Sequence, residues 1–300
     1  VAYQSGKAIL GLIKNGITAK DIITKDALAN AIKINSAIGG STNAVLHILA
    51  IAYEAELELD LDKFGDLSSQ TPHLVPLIPA GSYTLLDFYE AGGVPAIMKE
   101  LSSKLELDSL TVTGKRVKNN LDQAEIRNRD IINPIEEAVS KTGGIAVLKG
   151  NLAPEGAITK PSVIPKVARS FRGRAVVFES EQEAIAGIKA DKVKAGDVIV
   201  IRNEGPKGGP GMPEMYKPMK LLVGKGLGSK VCVITDGRFS GSNNGCFVGH
   251  ISPEAAEGGP IRAVEDGDTI FVNVNQGTIK VEEEDFKKRC IRVEKDIECD

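Results

Sequence analysis

The stretch from Asp236 to Gly259, DGRFSGSNNGCFVGHISPEAAEGG, concentrates residue types that can do chemistry. It follows VCVIT, an apolar run that predicts a buried strand, and α/β folds often bind ligands where a strand ends. Ser240 lies two residues after Arg238, and a serine beside a cation can act as a base if its hydroxyl is deprotonated. The alternative is a serine that only shapes a turn.

A second loop, RNEGPKGGPGMPEM, spans Arg202 to Met215 and is rich in glycine and proline. Proline fixes φ and glycine frees it, so this composition predicts a loop of defined shape. It does not have the residue order of a P-loop. Its carboxylates, Glu204 and Glu214, suit a hard cation such as Mg²⁺, which takes oxygen ligands. A surface turn with solvated glutamates is the alternative.

A third loop, AIGGSTNAVLH, ends at His47 and places Ser41, Thr42 and Asn43 at the start of a predicted helix. Helix N-termini bind carboxylate or phosphate groups through free amides and the helix dipole. The same three residues are also ordinary helix caps, so both interpretations stay open. His47 lies one turn inside the helix among apolar residues, which favours a core histidine over a catalytic one.

Composition restricts the function classes. A net charge of -3 and an aromatic content of 4% give no electrostatic surface or stacking platform for nucleic acid. No apolar run reaches the length of a membrane span, and the N-terminus does not resemble a signal peptide. The chain starts without Met, so we expect a fragment or a processed product. The cysteine usage fits a cytoplasmic protein better than a disulfide framework.

These loops need elements to position them, and the pattern changes near residue 125. Before it, helical spacing predicts helices in residues 5–16, 24–40, 41–57 and 84–105, the last broken at Gly92-Gly93. Residues 129–144 are predicted to form a connecting helix. Later come β-rich runs at 145–150, 174–180, 196–205, 230–237 and 268–283, the last a hairpin, with a helix over 180–196. We predict an α/β protein in which residues 1–130 are mostly helical and residues 131–300 form a β-rich, barrel-like domain.

Taken together, four stretches resemble the dihydroxy-acid dehydratase family, which also includes 6-phosphogluconate and sugar-acid dehydratases. They are GGSTNAVLH, EGPKGGPGMPEM, VITDGRFSG and GHISPEAAEGGPI, in this order. The resemblance extends from about residue 5 to 285 and favours the dihydroxy-acid branch, with a sugar-acid dehydratase as the alternative. It implies that residues 1–130 are the C-terminal part of the family's N-terminal α/β domain, and that a swivelling domain follows.

The resemblance also implies a mechanism. Water is removed from a 2,3-dihydroxy acid, of the 2,3-dihydroxyisovalerate type, to give a 2-oxo acid in branched-chain amino-acid biosynthesis. The family's base falls on Ser240 and its Mg²⁺ ligand on Glu214, while Glu204 is expected to be structural. Ser41, Thr42 and Asn43 are expected to line the pocket, and Arg238 and Asp236 to hold the serine loop. A homodimer is implied as well.

The family's iron–sulfur cluster acts as a Lewis acid, and its ligands are expected in an N-terminal region that precedes this chain. None of the cysteines here, Cys232, Cys246, Cys290 and Cys299, matches a ligand motif. We therefore expect a chain that lacks the cluster-binding region and is inactive alone. Two further hypotheses remain: a non-catalytic relict or binding module, and a serine hydrolase that uses Ser240 and His250.

Overall fold

The computed structural model describes residues 2–209, 211–241 and 244–298. The chain divides into two compact units, Val1–Gly144 and Ile145–Asp300. Among the described residues, every helix is too short or too polar to cross a membrane.

The first unit is helical in its described residues. Its α-helices, α1 to α8, are Ala2–Lys14, Ala19–Ile22, Lys25–Ala37, Asn43–Glu54, Leu61–Ser69, Leu85–Glu90, Gly93–Glu100 and Val117–Leu121. The predicted break at Gly92-Gly93 is confirmed, because α6 ends before it and α7 begins at Gly93. Gly92 has a φ of 118°, and a β-carbon there would lie 2.2 Å from the Glu125 carbonyl oxygen. Only glycine satisfies both conditions without strain.

The core of this unit lies where α3, α6 and α7 meet two non-helical segments. Phe88 and Ile97 contribute from the helices, and Leu74 and Ile132 from the segments. The apolar residues of α3 recur at helical spacing, so one face of the helix is buried. The core thus fixes the C-terminal end of α3, where the Gly39-Gly40 loop begins.

The predicted connecting helix over residues 129–144 is wrong. The structure has a short 3-10 turn, Ile135–Glu137, and an isolated bridge between His73 and Ser140. The reason is Pro134, which lacks an N–H and disfavours a helical conformation for the residue before it. The apolar spacing of this segment fills the core described above without forming a helix.

The second unit is a closed barrel in the order β1-β10-β9-β3-β4-β6-β8-β2. The strands β1 to β10 are Ala146–Gly150, Ala153–Thr159, Ser170–Phe178, Val198–Ile201, Glu214–Met215, Cys232–Thr235, Arg238–Phe239, Cys246–Ser252, Thr269–Asn273 and Thr278–Val281. The helices α9 to α11 are Glu181–Lys189, Lys217–Gly224 and Phe286–Glu298. The barrel-like architecture, the hairpin β9–β10 and the helix α9 are confirmed.

The strands β3, β4, β6 and β8 are parallel neighbours. All residues of β4 and β6 are buried, as expected for parallel strands covered on both faces. The helices α9 and α10 precede β4 and β6 and pack against each other. Because β4 and β6 run in the same direction, the loops that follow them leave the barrel at the same end.

Two barrel strands were not predicted. The strand β2 contains Pro154 and Gly156, and both residue types are depleted in strands. Pro154 faces a register shift between β1 and β2, where the backbone does not have to donate an inter-strand hydrogen bond. The strand β8 lies inside the stretch that we expected to be one long loop. Its Gly249 interrupts the apolar pattern because a β-carbon there would lie 3.1 Å from the Phe239 ring.

Candidate functional site

The two short strands β5 and β7 form a separate two-stranded sheet at the end of the barrel strands β4 and β6. They are parallel, with Glu214 opposite Arg238 and Met215 opposite Phe239. The backbone N–H of Ser240 donates to the carbonyl of Met215 at 3.4 Å. The structure therefore brings the predicted base close to the predicted Mg²⁺ ligand, although α10 and β6 separate them in sequence.

The two faces of this small sheet differ in burial. Met215 and Phe239 are buried, at 0% and 2% exposure, whereas Glu214 is exposed and Arg238 and Ser240 are half-buried. Successive side chains of a strand point to opposite faces, and paired residues share a face. Glu214, Arg238 and Ser240 consequently lie on the accessible face, with the apolar pair beneath them.

Arg238 also connects the two glycine-containing loops. Its Nε donates to the carbonyl of Met212 at 2.6 Å. Met212 lies in the second loop with a φ of 50°, a conformation that is rare for a side chain of this kind. The position of β5, which carries Glu214, therefore depends on Arg238.

Asp236 is buried at the end of β6 and holds three backbone amides. Its carboxylate accepts from the N–H groups of Asn203 at 3.1 Å, Glu204 at 3.0 Å and Ala255 at 2.9 Å. Burial raises the pKa of Asp236, and these three hydrogen bonds act in the opposite direction. The loops after β4 and β8 are thus tied to the residue from which the serine loop begins.

Two more buried glutamates support the second loop. Glu204 accepts from the N–H of Glu181, the first residue of α9, at 2.5 Å. Glu254 accepts from the N–H groups of Lys207 at 2.7 Å and Gly208 at 2.9 Å. Sequence analysis missed the role of Glu254, which lies within the quoted motif GHISPEAAEGGPI but gives no separate signal. Both carboxylates are buried and are directed at backbone amides of the protein, whereas Glu214 is exposed.

His250 lies on β8 with a φ of 54° and an exposure of 9%. Its backbone N–H donates to the carbonyl of Gly237 at 2.8 Å. Neither ring nitrogen has a hydrogen-bond partner among the described residues. Burial, followed by the charge of Arg238, lowers the pKa of His250 to about 4. The hydrolase hypothesis requires a Ser240–His250 hydrogen bond, and the structure does not contain one.

The third predicted loop lies in the first unit. The helix α4 begins at Asn43, whose backbone N–H donates to the Ser41 hydroxyl at 3.2 Å. Thr42 is the N-cap residue but makes no side-chain capping bond. Just before this turn, two side-chain atoms are buried without a partner among the described residues, Asn35 Nδ2 and Ser36 Oγ. The helix start thus lies beside polar groups that remain to be satisfied.

The described cysteines do not form a cluster-binding group. Cys232 and Cys246 are registered neighbours on β6 and β8, with their sulfurs 2.9 Å apart. Burial and the nearby thiol raise the pKa of Cys232, which opposes the thiolate form that binds metals. No group of three or more His, Cys, Asp and Glu side chains in the described ranges could hold a metal ion. Cys299 lies outside the described residues.

Two family models match the chain and together span both units. The model described as dihydroxy-acid/6-phosphogluconate dehydratase C-terminal matches residues 130–298. The corresponding N-terminal model matches residues 1–120. The chain belongs to the dihydroxy-acid/6-phosphogluconate dehydratase family. The expectation of a C-terminal portion that lacks the N-terminal cluster-binding region is not borne out, because the family's N-terminal model matches residues 1–120.

Curated relatives of the chain are named dihydroxy-acid dehydratase. The chain is 50% identical over 295 residues to a dihydroxy-acid dehydratase of Sulfurisphaera tokodaii, covering 96% of this chain and 52% of the relative. It is 48% identical over 293 residues to a dihydroxy-acid dehydratase of Caldanaerobacter subterraneus subsp. tengcongensis, covering 96% and 53%. A third, from Methanococcoides burtonii, is 49% identical over 295 residues, covering 96% and 53%. The chain therefore spans about half the length of the curated relatives it matches.

Proposed function

We propose that the chain is part of a hydro-lyase that converts a 2,3-dihydroxy acid to a 2-oxo acid in branched-chain amino-acid biosynthesis. The substrate class is that of 2,3-dihydroxyisovalerate. The main support is the accessible face of the β5–β7 sheet, which carries Glu214, Arg238 and Ser240. The names of relatives that are 48% to 50% identical favour the dihydroxy-acid branch over sugar acids.

Ser240 is the base in this proposal. Its deprotonated Oγ takes the proton from C2, and the C–H electrons form the C2–C3 double bond while the C3 oxygen leaves as hydroxide. The hydroxide takes the proton back from Ser240 Oγ, which yields water and regenerates the alkoxide. The resulting enol tautomerises to the ketone. The guanidinium of Arg238 lies on the same face, and a nearby positive charge favours the alkoxide form of the serine. The buried pair Met215 and Phe239 keeps the strand end that carries Ser240 in place.

Glu214 would hold Mg²⁺. Its carboxylate is of the oxygen-donor type that Mg²⁺ prefers, and a Mg²⁺ ion commonly keeps several waters or takes substrate oxygens. One exposed carboxylate at the edge of the site fits such an ion as a single protein ligand. When bound, Mg²⁺ supplies charge stabilisation to the substrate carboxylate and C2 oxygen. Glu214 then orients the substrate relative to Ser240.

The iron–sulfur cluster that the resemblance implies does not fit the described cysteines. Cys232 and Cys246 point at each other in the barrel wall, and the described residues contain no third partner for them. The steps assigned above therefore use only Ser240, Arg238 and Glu214. We also propose that the barrel is the family's swivelling domain, that the first unit belongs to its α/β domain, and that the whole protein is a homodimer.

The test uses the whole protein that contains this chain. Ser240→Ala should reduce 2-oxo acid formation from 2,3-dihydroxyisovalerate by roughly 10²- to 10⁴-fold, because a general base is lost. Ser252→Ala is the matched control, since its hydroxyl lies in the same unit and donates to Glu155 at 2.7 Å. Glu214→Gln should raise the Mg²⁺ concentration needed for half-maximal activity. Near-normal turnover by Ser240→Ala would refute the assignment of the base.

Further assays separate the alternatives. Turnover of a sugar acid but not of the dihydroxy acid would assign the chain to the other branch. Labelling of Ser240 by a fluorophosphonate probe would favour a hydrolase. A whole protein with no turnover that still binds carboxylates would favour a binding module. Because the described cysteines form no cluster-binding group, the 300-residue chain alone is expected to be inactive.

A further inference from the structure

The strand β8 contains a β-bulge at His250. On the partner strand β2, Ile158 pairs with Gly249 and Gly156 pairs with Ser252, so the register shifts between these two pairs. His250 and Ile251 together oppose the single residue Ala157. Bulges of this kind redirect a side chain and are over-represented next to active sites.

The backbone conformation of His250 is costly. A φ of 54° lies in the left-handed region, where a glycine is the usual residue of a bulge. A non-glycine residue persists in this region when the surrounding structure imposes it, and such residues cluster at functional sites. Glycine would adopt this conformation without strain but has no side chain. The presence of histidine therefore indicates a role for its imidazole ring.

The ring itself is buried without hydrogen bonds to the described residues. Both Nδ1 and Nε2 are inaccessible and have no described partner. With its pKa lowered to about 4, the imidazole is neutral near pH 7 and offers one N–H donor and one acceptor. Buried polar groups are nearly always satisfied by protein, water or ligand. Among the described residues, no protein group satisfies this donor and this acceptor, which are therefore open to water or to a hydroxyl group of a ligand.

The bulge is in contact with the turn that leads to Ser240. The N–H of His250 donates to the Gly237 carbonyl at 2.8 Å. The Phe239 ring packs on Phe247 of β8 with centroids 4.8 Å apart. The charge of Arg238 acts on the ring. Each residue from Gly237 to Phe239 therefore interacts with β8 at or next to the bulge.

We propose that His250 is a positioning residue for Ser240, and that its ring binds a small hydroxyl-bearing guest beside Arg238. The guest is an ordered water or a hydroxyl of the substrate. By binding it, the ring fixes the segment from Gly237 to Ser240 relative to β8. This inference rests on the proposed function for the role of Ser240, but the guest site follows from the bulge and the ring alone.

The kinetic test compares three variants of the whole protein. His250→Gly keeps a residue suited to the left-handed conformation and removes the ring. It should lower kcat roughly 10- to 100-fold with little change in KM, because small displacements of a catalytic group have effects of this size. His250→Asn, which tolerates this φ and can hydrogen-bond, should recover part of the loss. Asp191→Gly, at an exposed position with a φ of 59°, is the matched backbone control and should retain kcat.

Two readouts separate positioning from a purely structural role. Added imidazole should restore activity to His250→Gly, since the missing ring leaves a space of its own shape, and should not affect Asp191→Gly. High-resolution crystal structures with and without 2,3-dihydroxyisovalerate should show density within hydrogen-bond distance of a ring nitrogen. Density that is unchanged by the substrate identifies water, and density replaced by the substrate identifies its hydroxyl.

Different results would contradict the role of His250 and the proposed dehydratase function. If the parent enzyme turns over the dihydroxy acid but His250→Gly keeps its kcat and imidazole has no effect, the inference is overturned. A ring that is hydrogen-bonded to a protein side chain in the crystal would also overturn it. If the parent enzyme shows no turnover of dihydroxy acids, the proposed function fails, while density at the ring would still support the guest site.

Discussion

Replacing Asp236 by alanine should destabilise the second unit and release both loops of the site. The side chain is only 1% exposed. Its hydrogen bonds to Glu204 and Ala255 are buried, and the one to Asn203 is partly buried. In the alanine variant, the N–H groups of Asn203, Glu204 and Ala255 lose their acceptor at once.

The expected loss follows from these three hydrogen bonds. A buried donor left without a partner costs about 1–3 kcal/mol. Removal of the carboxylate also recovers the cost of burying it, which is the cost that raises the pKa of Asp236. Since water can enter the space that the carboxylate vacates, we expect a net loss of about 3–4 kcal/mol, toward the upper end for single substitutions. Asp236→Asn should lose less, because one amide oxygen can still accept.

Hydrogen exchange and urea unfolding of the chain measure this effect. Asp266→Ala is the matched control, since its exposed carboxylate accepts from one backbone N–H, that of Val177, at 2.7 Å. The amides of residues 203, 204 and 255 should exchange faster in Asp236→Ala, and the urea midpoint should fall well below that of the control. Equal midpoints for the two variants, or unchanged exchange at the three amides, would refute the reasoning.

Two more predictions concern the same region. Glu254→Gln retains one acceptor oxygen for two loop amides, so hydrogen exchange at Lys207 and Gly208 should accelerate while β4 stays protected; unchanged exchange would show that the loop holds itself. In the folded protein, the pKa of His250 is about 4, below the usual 6.5. The stabilisation that the protein gains from burying the neutral ring is therefore fully present above pH 6.5. That stabilisation is lost as the pH falls toward 4, by about 3 kcal/mol. Urea unfolding of the parent and of His250→Asn should show a free-energy difference that changes by this amount between pH 7 and pH 4, and a constant difference would contradict the burial of the ring.

The sequence predicted elements well where local pattern and tertiary packing agree. The helix α3 has apolar residues at helical spacing and a capping threonine, Thr24, which accepts from the Ala27 N–H at 3.2 Å. The strand β4 is an uninterrupted apolar run, and β6 is apolar up to its last residue, Thr235. In these segments each local preference favours the same structure that the core requires, so the prediction needed no knowledge of distant contacts.

Prediction failed where a distant contact decides the local structure. Gly249 interrupts the pattern of β8 because the Phe239 ring lies against it, and no local rule contains that ring. Pro154 is of a residue type that is depleted in strands, but it faces the irregular part of β1. The His250 bulge is likewise set by the pairing of β8 with β2. These features depend on strand pairing across the barrel, which a single sequence does not display.

In the candidate site as well, the sequence could indicate the residue types but not their geometry. Ser240 and Glu214 could be singled out by type, by loop composition and by resemblance, but their common face depends on one pairing, Glu214 with Arg238. A shift of one residue would move Ser240 to the face of Met215 and Phe239 and remove it from the site. The two apolar residues fix the register because each is buried only in the observed pairing. The chemistry proposed for the serine and the glutamate therefore depends on two side chains that take no part in it.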